Sequence, residues 1–435
     1  MKRPPGAAHF ETRRESAKQP LDIFIAGRTT THFASGGSHR GLASLREFLI
    51  GDSVSNNDSL GVLEVLGNGA AFIRRKETCY TPGKRDVYVG QKLVRRYGLR
   101  TGDEIYGAVG KRPRNGKSAP LEKLDAVNGR PPESLGHRPV FKDLGAQHPS
   151  EQLTLECGRT YRGQPDYTNR VVDLLCPLGK GQRALIVAPP KAGKTTILQA
   201  VAQGISTNYP ECKLFLVLVD ERPEEVTEME MAGFGEVIAS SFDHPPSRHV
   251  SVAEMCLQRA RRRVEMGEDV VIILDSITRL ARAHNTVDEG SGRTLSGGLD
   301  ATSMERPKRF LGSARKVDPA KGGSGSLSIV ATALVDTGSK MDQVIFEEFK
   351  GTGNSELLLS RELADRRMYP AIDLLGSATR REELLLQDDA LLASRTLRRE
   401  LSSATPYDAM NRLLGDMKST ATNEEFVNIV ASRGR

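Results

Sequence analysis

The chain reads as α/β, with a small β-barrel ahead of a larger, mostly parallel sheet covered by helices. Three observations predict this. Beyond about Asp166 the apolar runs ALIVA, LFLVLVD, VVIILD and LSIVATAL are continuous rather than alternating, as expected of strands buried on both faces. Helical patterns lie between them, such as KTTILQAVAQGI and VAEMCLQRARRRVEMG, and strands that alternate with helices build parallel βα units. Upstream of both, the runs GVLEVL, AAFIRR, DVYVG and LRTGDEIYGAV are short and broken by Gly and Pro, with Thr-Gly-Asp supplying turn chemistry.

Taken in order, residues 1–59 mix Pro, Gly, Ser, Thr and charges without periodicity, apart from one short helical pattern at Gly41–Ile50. This extension is expected to be poorly structured. Residues 60–130 form the barrel, and the Pro- and Gly-rich passage containing NGRPPESLGHRP makes 131–165 the expected linker. The helix-covered sheet occupies 166–435.

The net charge of +7 over 435 residues is concentrated. Between Ala70 and Lys117 there are 13 Lys and Arg against 4 Asp and Glu, a local +9. An anionic partner for the barrel follows. Five scattered cysteines (Cys79, Cys157, Cys176, Cys212, Cys256) lack CxxC spacing, which argues against a disulfide framework or a zinc site and fits a reducing cytoplasm. The basic N-terminus is followed by no apolar segment, and no apolar run is long enough to span a bilayer, so no membrane role is expected.

The loop APPKAGKT, Ala188 to Thr195, matches GxxxxGK[ST] except that Ala188 replaces the first glycine. A strand before it and a helix after it are the context a phosphate loop needs. Its chemistry requires backbone N–H groups aimed at phosphate, close approach at Gly193, Lys194 on the β and γ phosphates, and Thr195 on Mg²⁺. VVIILDS ends in Asp275, placed as the carboxylate that holds Mg²⁺, and LFLVLVDERPEEV ends in Asp220, Glu221 and Arg222, placing a carboxylate to orient water. Three phosphate-type elements at the carboxyl edge of one sheet favour NTP hydrolysis.

With these motifs in hand, the chain resembles the transcription termination factor Rho family. GKGQRALIVAPPKAGKTTILQ, LVDERPEEVTEM, SRHVSVAEM, ILDSITRLARAHN, RPKRFLGSAR, ATALVDTGSKMDQVIFEEFKGTGN and YPAIDLLGSATRREELL carry the resemblance from about Val171 to Leu386, and it continues upstream over Gly61 to about Arg112. It implies a RecA-like ATPase domain behind an OB-fold, cold-shock-like barrel. It also implies a homohexamer that hydrolyses ATP with Mg²⁺ between subunits, pulls single-stranded RNA through its centre in the 5'-3' direction and acts on RNA polymerase. By matching motifs, Lys194 and Thr195 bind phosphate and Mg²⁺ within a loop that also holds Lys191, Ala192, Gly193 and Thr196, Asp275 is the second Mg²⁺ residue, and Glu221 activates water. Arg222 links the nucleotide to its neighbours, Tyr369 stacks on adenine, and Gly179, Lys180, Gly181, Gln182, Arg183 and Ala184 contribute to the same pocket. Arg380 becomes an arginine finger reaching into the adjoining subunit.

The resemblance also implies two RNA sites. Arg293, in GSGRTLSGG, and Lys340, in TGSKMD, match loops that grip RNA in the central pore. Phe72, Arg74 and Tyr88 match the barrel's RNA-capturing positions, although barrel core is the other place for both aromatics. The chain departs from the family here. Gly69-Ala70-Ala71-Phe72 has one aromatic where the family has two, and a shortened GKSAPL replaces an Arg-Tyr pair. Primary RNA capture is therefore expected to be weaker, less cytosine-selective and more salt-sensitive. A rotary ATP synthase subunit would share the ATPase core but lack the basic barrel. An RNA-binding protein with a dead nucleotide domain would lack one of Lys194, Thr195, Glu221, Asp275 or Arg380, and all five are present.

Overall fold

The computed structural model describes residues 59–114, 116–136, 138–288, 296–300 and 302–434. The helical pattern at Gly41–Ile50, the rest of the N-terminal extension as far as residue 58, and Arg293 lie outside the described residues.

The first elements are β1 (Gly61–Val65), β2 (Ala71–Arg74), β3 (Val87–Val89), the short α1 (Gln91–Arg96), β4 (Glu104–Val109) and β5 (Ala119–Val127). The five strands close in the order β1-β2-β3-β5-β4 because β1 pairs with both β2 and β4. Alternation decides which side chains fill the interior. Leu63, Ala71, Ile73, Val87, Val89, Ile105 and Val127 point in and are buried. Phe72 and Tyr88 therefore point out. The basic segment is a closed barrel, as the short broken runs predict.

Next come β6 (Ala146–Gln147), the two strands of a hairpin, β7 (Thr160–Tyr161) and β8 (Gln164–Pro165), and α2 (Thr168–Leu175). The βα units follow: β9 (Arg183–Ala188), α3 (Lys194–Asn208), β10 (Lys213–Glu221), α4 (Pro223–Ala232), β11 (Glu236–Ser241), α5 (Pro246–Glu265), β12 (Asp269–Asp275), α6 (Ile277–Val287) and α7 (Glu305–Leu311). After them lie β13 (Arg315–Val317), β14 (Ser326–Leu334), α8 (Lys340–Lys350), β15 (Ser355–Leu358), α9 (Arg361–Asp365) and β16 (Ala378–Thr379). The helices α10 (Asp388–Leu401), α11 (Pro406–Met417) and α12 (Asn423–Gly434) end the described chain.

The large sheet runs β11-β10-β12-β14-β9-β15-β16, parallel as far as β15, with β16, β13 and β6 added antiparallel. Within β9, Ala184, Ile186 and Ala188 face a core shared with α2, α3 and α10–α12, while Leu185 and Val187 face one shared with α5, α6 and α8. Both faces are covered, which is why these strands read as continuous apolar runs.

The segment expected as a linker connects the barrel to α2 and is packed along the way. Residues 131–165 pack into the larger body: Phe141, Leu144, Leu153 and Leu155 are buried, β6 pairs with β13, and the two carboxylate oxygens of Asp173 accept the backbone N–H groups of Leu155 and Glu156 at 2.8–3.0 Å. A few apolar residues spaced among Pro and Gly suffice to anchor the segment, and the composition of the stretch masks them.

The barrel is fastened to the sheet by buried charge. Arg259 of α5 donates to Glu236 at the start of β11 (2.6 Å) and to the hydroxyl of Tyr80 (3.0 Å), Tyr80 donates to Glu236, and Arg263 pairs with Glu104 of β4. Arg259 also lies over the rings of Tyr80 and Phe215. On the barrel side Arg138 pairs with Asp103 at 2.6 Å.

Candidate active site

The loop after β9 turns on left-handed backbone at Lys191 (φ 65°) and Gly193 (φ 89°). Gly193 caps α3, and the second position is one that L side chains rarely adopt. Pro189 and Pro190 shape the entry without offering N–H groups. The N-terminus of a 15-residue helix, with its unpaired N–H groups, thus faces a cleft of about 1040 Å³. Lys191, Ala192, Gly193, Lys194, Thr195, Thr196, Glu221, Arg222 and Tyr369 all line that cleft.

Lys194 Nζ sits between two carboxylates, 2.7 Å from Glu221 Oε1 and 2.6 Å from Asp275 Oδ1. Burial opposes its charge, but the charges of Asp275 and Glu221 outweigh that and hold the ammonium above the ordinary lysine range. Asp275 also accepts from Thr332 Oγ1 at 2.6 Å. Glu221 is nearly inaccessible, and burial, followed by the negative charge of Asp275, pushes its carboxyl up to about 6 against the pull of Lys194 and Arg279.

Strand geometry explains how Glu221 is aimed. The register of β10 against β11 shifts between Val219 and Glu221, and the intervening Asp220 sits at φ 58°. One extra residue in a strand re-aims the next side chain. Arg279, one turn into α6, bridges the two acids: it donates to Asp220 and lies 3.4 Å from Glu221 Oε1. On α3, Thr195 Oγ1 lies 3.4 Å from Glu225 Oε2, and Arg222 pairs with Glu225 at 2.8 Å. The oxygen donors of Thr195 and Asp275 beside a phosphate loop suit a hard divalent cation.

The structure separates other expected residues from this cleft. Gly179, Lys180, Gly181, Gln182, Arg183 and Ala184 lie before or at the start of β9, whereas the phosphate loop follows its end, about 20 Å away along the six-residue strand. Lys180 is held by Glu151 and Asp269 at 2.7 and 2.8 Å, Gln182 donates to Asn354 at 2.8 Å, and Arg183 donates to carbonyls of Thr352 and Ala314. Within one chain they do not share a pocket with Lys194. Arg380 lies at the same far edge: its N–H bonds to the Asn354 carbonyl, and its charge acts on Arg183. It cannot serve its own chain's Lys194.

Of the RNA-loop residues, Lys340 begins α8, and the backbone at Gly297 approaches Lys340 and Met341 so closely that a Cβ there would lie 2.7 Å from Met341 N. Gly297 and the start of α8, which follows the carboxyl end of β14, therefore meet at the same sheet edge as the phosphate loop. On the barrel, Phe72 and Tyr88 are register partners with ring centroids 5.8 Å apart and planes at 65°, and Tyr88 is 39% exposed. Arg74 lies over Phe72 at 5.2 Å but is buried and paired with Glu64 and Asp86. It supports the aromatic pair from below.

The sequence reading missed Arg279, Thr332, Glu225 and the residues of the β7–β8 hairpin that also line the cleft. Only Arg279 carried a local signal, as a basic residue one helical turn after a strand-ending Asp.

Comparison with known proteins adds the following. Residues 168–379 match the family model for the ATP synthase alpha/beta family, nucleotide-binding domain, and residues 59–133 match that for the Rho termination factor, RNA-binding domain. The chain is 50% identical over 367 residues to transcription termination factor Rho of Chromobacterium violaceum, covering 84% of this chain and 86% of that protein. It is 52% identical over 371 residues to that of Haemophilus influenzae, covering 85% and 87%. It is 55% identical over 357 residues to that of Gemmatimonas aurantiaca, covering 82% of this chain but 48% of that longer protein. Among solved structures, the assembled ATPase EscN of the enteropathogenic E. coli type III secretion system aligns with a TM-score of 0.54 at 18% identity over 86% of this chain and 95% of that one. That last likeness concerns the fold.

Proposed function

The chain belongs to the transcription termination factor Rho family, and on that premise we propose that it is an RNA-dependent ATPase, an ATP-driven 5'-3' RNA translocase and helicase that terminates transcription by RNA polymerase. The observation that carries this reading is the Lys194 ammonium held between Glu221 and Asp275 at the mouth of a helix N-terminus, in the same chain as a basic closed barrel with outward aromatics.

In this reading the triphosphate enters against the α3 N-terminus, and Lys194 transfers its charge from the two carboxylates to the phosphates. Glu221 is then free to accept the proton of the attacking water. Thr195 and Asp275 would hold Mg²⁺, which when bound supplies positive charge across the β and γ phosphates. Arg222 lies at the rim, paired to Glu225, and Tyr369 stands over Gly193, 3.4 Å from where a Cβ would be, ready to stack on the base.

Because Arg380 lies at the opposite sheet edge, it would act on the nucleotide of a neighbouring copy, which the proposed homohexamer brings alongside. A guanidinium delivered in this way stabilises γ-phosphate charge, typically by ~10³ to 10⁵ in rate. RNA first meets the barrel, then the segments that meet at Gly297 and Lys340; Arg293, by sequence, is the further contact. Among the described residues no helix is long and apolar enough to cross a membrane. A cytoplasmic site of action accords with the partners.

The test is steady-state ATP hydrolysis without RNA, with cytosine-rich RNA and with adenine-rich RNA. RNA-stimulated turnover that disappears in Lys194→Ala is expected. Turnover indifferent to every RNA, or surviving that substitution, would sink the proposal.

A further inference from the structure

The phosphate loop accounts for one end of the cleft, and the β7–β8 hairpin walls another part of it. Its register, Thr160 with Pro165 and Tyr161 with Gln164, leaves a two-residue turn, Arg162–Gly163. Both turn residues have left-handed backbone, φ 51° and 77°, as a type I′ turn requires. Such turns favour Asn-Gly or Gly-Gly, and a bulky residue adopts that conformation only against steric resistance. Arginine stands there nonetheless, with its guanidinium 5.4 Å from the ring centroid of Tyr161.

The hairpin is firmly footed. Arg159 Nε donates to Asp166 Oδ2 at 2.8 Å, the Asp166 N–H donates to the Arg159 carbonyl at 3.0 Å, and the Arg159 guanidinium reaches Gln203 of α3. Gln203 lies about 13 Å along the helix from Lys194, so the anchor is well removed from the carboxylates around the lysine. Tyr161 is 42% exposed and Tyr369 is 48% exposed, and both line the one cleft. Two exposed aromatic rings in a cleft that already holds a phosphate loop are surfaces awaiting a flat ligand.

We propose that Tyr161, backed by Arg162, is the second wall of a nucleobase slot whose first wall is Tyr369. The inference rests on the nucleotide reading above and extends it by naming what holds the base. Stacking needs only a π face, so this wall adds affinity for the base and none for the phosphates.

The experiment is equilibrium binding of ADP and of inorganic tripolyphosphate to the full chain and to its Tyr161→Ala and Tyr161→Phe variants. ADP is expected to bind about 5- to 150-fold more weakly to Tyr161→Ala, the span that one stacked base provides, and normally to Tyr161→Phe. Tripolyphosphate should bind all three alike. Unchanged ADP affinity in Tyr161→Ala, or equal losses for both ligands, overturns the slot and leaves the nucleotide site standing. A wild-type chain that binds neither ligand, or whose binding survives Lys194→Ala, overturns the nucleotide reading and the slot with it.

Discussion

In the proposed hydrolysis Glu221 is the residue that takes the proton of the attacking water. Buried beside Asp275, its carboxyl titrates near 6, so it is protonated and unable to accept a proton below that pH and competent above it. ATPase kcat/KM in the free protein should therefore rise with pH through about 6 and level off beyond. Glu221→Gln should flatten that limb and lower kcat by about 10²- to 10⁴-fold while ADP still binds. A wild-type profile flat from pH 5 to 7 would remove Glu221 from the base role. The sequence singles it out because a carboxylate ends an apolar strand. Its aim is not legible there, because the shift at Asp220 is a property of how β10 pairs with β11, which only the assembled sheet fixes. The same holds for Arg74: a basic residue in a basic segment suggests a phosphate contact, yet Glu64 and Asp86, brought together by the barrel, claim its charge.

At the level of elements, the strands were readable where burial is two-sided and the helices where a 3.6-residue period persists. What escaped was the stretch between the barrel and α2, whose anchors Phe141, Leu153 and Leu155 are too sparse to form a pattern. The outer face of β2 and β3 is now defined by Phe72 and Tyr88, with Ala70 at the neighbouring position where a second aromatic would have stood. One stacking pair leaves phosphate contacts to do more of the binding. Tyr88→Ala should weaken single-stranded RNA binding by about 1–3 kcal/mol. Wild-type affinity should fall steeply with salt, by about 0.7 log unit per decade of salt for each phosphate contact, and differ little between cytosine- and adenine-rich strands. A salt-insensitive affinity with strong cytosine preference would contradict this account.

Across the whole molecule, the barrel and the ATPase layer are joined through Arg259, whose guanidinium serves Glu236, Tyr80 and Glu104 at once. Removing it leaves Glu236 beneath the barrel without its ion-pair partner, while Glu104 keeps only Arg263. Arg259→Ala should cost about 3–5 kcal/mol, and calorimetry should show the barrel melting apart from the larger body. A single unshifted transition would show that the network does not hold the two together. The other long-range feature is that Lys194 and Arg380 occupy opposite edges of one sheet, so each copy in the proposed ring carries the halves of two different sites. Two individually dead proteins, Lys194→Ala and Arg380→Ala, should then complement each other when co-assembled, because about a quarter of the interfaces in a random mixture would pair an intact lysine with an intact arginine. For the same reason, a defective copy would behave as a dominant poison in a mixed population, silencing a neighbour whose own sequence is sound.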